Sequence, residues 1–330
     1  MICSPTLYCH IETARKTVRK SSGETLDNSL HQISGPKLKK PAHADRLFRR
    51  ATHTTMAIVV QKKLVRIRKT MLTILFIILG LTGLLFIGIS SFQEKLIFYP
   101  ERLPQDYTYN FKGEWKEVSF ETEPGVTLNA IHFRVDSSKG LILFFHGNAG
   151  SLAGWGIVGE NFTALGYDVL AMDFRGYGKS TGKIRSEKQL HSDATFIYDK
   201  MLEEYSENQI VLVGQSIGSG MASKLAAERA PAHLLLIAPF FNLPSVANHY
   251  FPILPKFIIR FKLPNDDYLI RTKCPVVLIH GTEDRIIPFD HSRKLDELSD
   301  NIRLISIEGA GHNNLENFPL YKQALVEVLS

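Results

Sequence analysis

From Met71 to Ser91 the chain runs through 21 residues without one charged side chain. As a helix rising about 1.5 Å per residue, this run reaches roughly 30 Å, the depth of a bilayer core. A buried core helix of this length would keep a polar face, and none is visible. A cleavable signal peptide is the alternative reading, with Ile89 to Ser91 as a weak small-x-small site. Beyond the run the pattern changes to short alternating stretches. Residues 115–121 and 126–134 alternate about a Pro124-Gly125 turn and predict an antiparallel hairpin at a sheet edge. Apolar strand-like runs then take turns with helix-compatible ones. Strands are expected at 141–145, 168–172, 209–213, 233–238, 275–280 and 301–307, and helices near 151–165, 186–204, 218–230, 290–298 and 316–329. That alternation predicts an α/β fold, a mostly parallel sheet with helices on both faces.

The stretch 239–273 interrupts the rhythm. It is rich in Phe and Pro, from Phe240 through Phe251 and Phe257 to Pro264, and it follows a strand end. It predicts a small cap over a site; the plain alternative is a helical excursion that covers apolar sheet. Residues 1–55 are polar, basic and aperiodic, and are expected to be disordered or a non-native extension upstream of Met56. The remaining division is a basic juxtamembrane segment at 56–70, a transmembrane helix at 71–91, a linker at 92–110 that packs onto the domain, and the domain itself at 111–330.

Charge sharpens this picture. Residues 1–70 carry 15 Lys and Arg against 4 Asp and Glu, whereas 71–330 carry 24 against 29. The basicity belongs to the N-terminal arm, which weighs against a nucleic-acid face on the domain. Lys62, Lys63, Arg66, Arg68 and Lys69 precede the apolar run, while Glu94, Lys95, Glu101 and Arg102 nearly balance after it. The positive-inside rule then puts the N-terminus in the cytoplasm and the domain across the membrane, periplasmic or lumenal. Three cysteines make no disulfide framework, and Cys274, before Pro275 at a strand entrance, reads as a small core residue.

Candidate chemistry gathers at strand ends. The apolar run 209–213 feeds Gly214, Gln215, Ser216, Ile217 and Gly218, and a helix-compatible stretch follows at once. Strand, sharp turn and helix are the context of a nucleophile elbow, with Ser216 as the nucleophile. Asp284 stands just past the strand 275–280, and His312 lies in a glycine-rich loop after 301–307. Glu283 is the competing acid. Upstream, His146 to Gly150 forms a glycine-rich turn after a strand, and the backbone N–H of Asn148 joins that of Ile217 as a candidate oxyanion hole. His146 and His280 each precede a glycine at a strand end and are expected to bond backbone. Asp173 and Arg175 are expected to pin a loop beneath the site. Neither a metal-ligand spacing nor a phosphate-binding loop is present in the sequence, so no metal and no cofactor is expected.

Five motifs together carry a resemblance. HGNAG stands at 146–150, DFRGYGKS at 173–180, GQSIG at 214–218, HGTEDRIIP at 280–288 and GAGHNN at 309–314. With them the chain resembles the α/β-hydrolase superfamily, and in particular its membrane-anchored α/β-hydrolase-domain proteins, over residues 93 to 330. The resemblance implies a Ser216, Asp284 and His312 triad, and it favours Asp284 over Glu283 as the acid. The activity expected is that of a membrane-anchored serine hydrolase cleaving an ester or thioester, with a lipid-like acyl substrate suited to the aromatic cap. A serine peptidase of the same fold is the alternative, and a non-catalytic scaffold of this fold comes behind both.

Overall fold

The computed structural model describes residues 42–329. Two units are distinguished, Met1–Leu75 and Phe76–Ser330. Within the described residues the first unit is helical throughout, the N-terminal part of α1 (Ala42–Ser91). This corrects the expectation for residues 42–55, which are helical rather than disordered; residues 1–41 of that stretch lie outside the described residues. The reason is cooperative. Once the apolar run has nucleated a helix, each added residue needs only propagation, and Ala42, Ala44, Leu47 and Ala51 are good helix formers. Thr52, Thr54 and Thr55 turn their hydroxyls back onto the carbonyls of Arg49, Arg50 and Ala51, satisfying them locally. The most apolar 18-residue window of α1 has a mean hydropathy of 2.7, long and apolar enough to cross a membrane.

The second unit continues with α2 (Gln93–Ile97) and β1 (Tyr99–Pro100). Gln93 is only 5% exposed, and its amide clasps a later segment: Nε2 donates to Ile258 O at 2.6 Å while Oε1 accepts from Arg260 N at 2.7 Å. The hairpin follows as β2 (Glu114–Glu123) and β3 (Val126–Arg134), turning at Gly125, whose φ of 77° favours glycine. Then come β4 (Leu141–Phe145), β5 (Ala149–Gly150), α3 (Leu152–Trp155) and α4 (Ile157–Thr163). One helix was expected over 151–165. It is interrupted at Gly156, whose backbone stays in the helical region; an added Cβ there would lie 2.2 Å from the Phe111 ring, so the close approach of that ring requires glycine.

The rest alternates: β6 (Asp168–Met172), α5 (Glu187–Met201), β7 (Ile210–Gln215), α6 (Ser219–Glu228) and β8 (His233–Ile237). Two short helices, α7 (Leu243–Tyr250) and α8 (Asn265–Leu269), precede β9 (Val276–Gly281), α9 (Asp290–Asp296), β10 (Ile302–Ile307) and α10 (Pro319–Leu329). The eight-stranded sheet has the order β10-β9-β8-β7-β4-β6-β3-β2. Six strands run parallel, and only the hairpin is antiparallel, at the edge.

Strand periodicity explains the two cores. Leu141, Leu143 and Phe145 join one buried cluster, Ile142 and Phe144 the other; Leu212 opposes Val211 and Val213 in the same way. Burial on both faces is why these strands read as unbroken apolar runs. The segment 239–273 both caps and fills. Phe240, Phe261, Leu263 and Leu269 are buried in the core, whereas Ile253 and Phe257 are 92% and 85% exposed.

Candidate active site

The parallel strands all end on one side, and the residues just beyond β4, β7, β9 and β10 meet there. At the end of β7 the backbone turns so sharply that Ser216 takes a φ of 52°, a left-handed conformation costly for a side-chain-bearing residue. The flanking glycines are required by space rather than by φ. A Cβ on Gly218 would sit 2.0 Å from Phe145 O, and one on Gly214 would sit 2.7 Å from Gly218 O. The strain lifts the Ser216 hydroxyl above the sheet, at the start of the turn that runs into α6.

Ser216 Oγ lies 3.0 Å from His312 Nε2, and His312 Nδ1 lies 2.6 Å from Asp284 Oδ2. With Nδ1 donating to the carboxylate, Nε2 is left to accept the serine proton, the tautomer that base catalysis requires. Asp284 is held from several sides. The Ile286 and Ile287 N–H groups both donate to Oδ1 at 2.8 Å, and His280 Nε2 reaches Oδ2 at 2.9 Å. Burial by itself raises this carboxyl's pKa, but the hydrogen bonds from His280, His312 and Ile287 outweigh it and hold the group well below the usual carboxylate range. Glu283 is exposed and has no part in this chain of contacts.

His280 bonds backbone as the sequence predicts, and the same nitrogen also reaches Asp284, a contact that the sequence does not reveal. It is fully buried, and besides Asp284 it meets Ile287 O at 3.0 Å and Ser292 Oγ at 2.6 Å. Two acceptors at Nε2 fix the proton there, and Ser292 donates to Nδ1. The available signal was its spacing, four residues before the acid and at the end of the same strand. His146 is buried against Trp155, Phe174 and Tyr177 and donates from Nδ1 to Gly147 O at 2.6 Å. Asp173 accepts from Leu152 N at 3.0 Å, and burial pushes its carboxyl up. Arg175 grips Asp193 through two bonds of 2.6 and 2.7 Å and also meets Glu123, fixing the loop that follows β6. Burial pushes the Cys274 thiol up to about 11, which leaves it unreactive at neutral pH.

Ser216 and His312 open onto a cavity of about 450 Å³. Its walls are largely apolar, including Leu96, Ile97, Phe240, Leu243, Val246 and Ile287, and none of the lining residues is acidic. Ile217 and Asn148 both border it. A serine hydroxyl, an imidazole and a carboxylate in hydrogen-bonded series beside an apolar pocket form an arrangement capable of acyl transfer.

A family model described as serine aminopeptidase, S33, matches residues 136–269. The chain is 32% identical to α/β-hydrolase domain-containing protein 17C of Xenopus tropicalis over 238 residues, 70% of this chain and 74% of that protein. It is 28% identical to an uncharacterized protein of Mycobacterium tuberculosis, over 72% of this chain and 88% of the relative. Among solved structures it is similar to an esterase of Pyrococcus furiosus, with a TM-score of 0.56 at 24% identity, covering 71% of this chain and 97% of the other.

Proposed function

Because the chain belongs to the α/β-hydrolase superfamily, we propose that it is a membrane-anchored serine hydrolase that cleaves an ester or thioester through an acyl-enzyme. The observation that carries this reading is the single His312 ring bridging Ser216 and Asp284 at the wall of an apolar cavity.

In this mechanism Ser216 Oγ attacks the substrate carbonyl carbon as its proton passes to His312 Nε2. Asp284 stabilises the imidazolium so formed. The N–H groups of Ile217 and Asn148 receive the charge developing on the carbonyl oxygen. The tetrahedral intermediate collapses, and the alcohol or thiol leaves with the proton held by His312. Water, deprotonated by the same nitrogen, attacks the acyl-enzyme, and Ser216 recovers its proton as the acid departs.

The apolar walls favour an acyl chain over a polar substrate, and the bilayer is its nearest source. Gln93, two residues past the apolar run, clasps the cap, and the cap carries exposed Phe251, Ile253 and Phe257. In this reading residues 71–91 span the membrane, the basic arm stays in the cytoplasm, and the domain is extracytoplasmic. The peptidase alternative draws on the description of the family model. An aminopeptidase must hold a free ammonium group, and the cavity wall offers no carboxylate to do so. The test is turnover of p-nitrophenyl esters of graded acyl length beside aminoacyl anilides. Preference for medium or long acyl chains supports the reading; cleavage of the anilides alone overturns it.

A further inference from the structure

A second and larger cavity, about 630 Å³, opens on the far side of α2 from the candidate active site. Leu96 and Ile97 face the active-site cavity, whereas Glu94, Lys95 and Phe98 face this one. Its rim is cationic: Lys95, Arg102, Lys183, Arg185 and Arg260 line it, against one acid, Glu94. Glu94 lies 3.6 Å from Arg260. Among the described residues no ion pair joins Lys95, Arg102, Lys183 or Arg185 to a carboxylate. Residues 71–330 as a whole carry more acidic than basic side chains, so this excess is local.

The groove also has a defined depth relative to the apolar run. Arg260 Nη1 donates to Ser90 O at 3.0 Å and its Nη2 to Arg185 O at 2.7 Å, joining the end of α1 to the groove floor. Lys95 lies only four residues past Ser91, across the non-helical Phe92, and Arg260 is bonded to Ser90 itself. The headgroup layer outside the hydrocarbon is about 5–8 Å deep on each side. Cations at that level meet phosphate, and guanidinium groups match its oxygens in pairs.

We propose that this groove binds a phosphate-bearing anion, supplied by the headgroup of an anionic phospholipid in the leaflet from which α1 emerges. The lipid source rests on the proposed anchoring, but not on the proposed hydrolysis. Arg102, Lys183 and Arg185 supply the free cations, while Arg260, already bonded to backbone, fixes the floor. Occupancy would hold α2, and with it one wall of the active-site cavity, against the membrane surface.

The test uses the full chain carrying Ser216→Ala, so that no lipid is turned over, in phosphate-free detergent. Dihexanoyl phosphatidylglycerol, dihexanoyl phosphatidylcholine and inorganic phosphate are titrated separately by calorimetry. Saturable phosphatidylglycerol binding is expected, weakening as salt rises. It should fall about tenfold or more in an Arg102→Gln, Lys183→Gln, Arg185→Gln variant, which removes three cations from the groove while keeping hydrogen-bonding side chains there. Inorganic phosphate binding as tightly, with the same loss in the variant, keeps the site and assigns it to free phosphate. Equal binding of phosphatidylcholine, or unchanged phosphatidylglycerol binding in the triple variant, overturns the proposal. The same three substitutions made with Ser216 intact should leave hydrolysis of a short soluble ester unchanged. If neither that protein nor wild type cleaves any ester, the hydrolase reading fails while the binding result stands.

Discussion

His280 Nε2 lies 2.9 Å from Asp284 Oδ2, the same oxygen that faces His312 across 2.6 Å. A buried imidazole thus keeps the carboxylate ionised and aimed, without lining the cavity beside Ser216. In the proposed mechanism it is a positioning residue. His280→Ala should lower kcat roughly ten- to hundredfold, the effect of one charge-assisted hydrogen bond of about 1.5–3 kcal/mol. KM should change little, which separates this role from a substrate contact. His312→Ala should cost far more, and a folded His280→Ala variant equally inactive would transfer the base to His280.

Asp284→Asn leaves His312 in place but offers it a donor as well as an acceptor, so the ring can settle in the wrong tautomer. A fall in kcat of roughly 10⁴-fold is expected, by the logic of triads in general. Steady-state kinetics with near-UV circular dichroism, to verify packing, measures it. Retention of more than a tenth of wild-type activity would show that Asp284 does not orient the base.

Gly218→Ala tests the elbow through packing. The added Cβ would meet Phe145 O at 2.0 Å, backbone that cannot move without shifting β4. The variant should lose several kcal/mol of stability, roughly 3 or more, and lose activity with it. An unchanged unfolding midpoint would contradict the geometry of the turn.

Much of the fold was legible because its strands are buried on both faces and read as apolar runs, Leu141–Phe145 and Val276–Ile279 among them. Three features were not. The need for glycine at 156 comes from the ring of Phe111, remote in sequence. The start of α1 at Ala42 comes from propagation, which leaves no periodic trace. The cationic groove collects Lys95, Arg102, Lys183, Arg185 and Arg260, residues scattered over half the chain. Within the candidate site, Ser216, Asp284 and His312 were marked by glycines and strand ends, whereas His280 shared its His-Gly signature with His146 and looked equally structural.

Stability should depend on pH through two buried histidines. Burial lowers both His132 and His291 to about 4, so each is neutral in the fold. Their contribution is fully present above the unfolded value, about 6.5, and is lost as pH falls toward 4. The loss is up to about 3 kcal/mol per histidine across that window. Denaturant titrations at pH 7 and pH 4.5 check it. His132→Gln and His291→Gln should each flatten the slope; an unchanged slope in both would contradict it.

Membrane orientation has its own test. A reporter active only outside the cytoplasm, fused after Ser330, should give signal, because five cations at Lys62–Lys69 resist translocation. Replacing them by Glu, with Lys placed after Ser91, should weaken or invert that signal. Signal from a cytoplasm-only reporter on the unaltered chain would reverse the orientation and leave the site chemistry unaffected.

The central claim is that Ser216 is an activated nucleophile, and covalent capture measures it most directly. The full chain in detergent is treated with a fluorophosphonate, digested and mapped by mass spectrometry. The account predicts one adduct, on Ser216, formed within minutes in wild type, slowed at least a hundredfold by His312→Ala and absent from Ser216→Ala. Rapid labelling of another serine, or labelling of Ser216 at the same rate without His312, would contradict it.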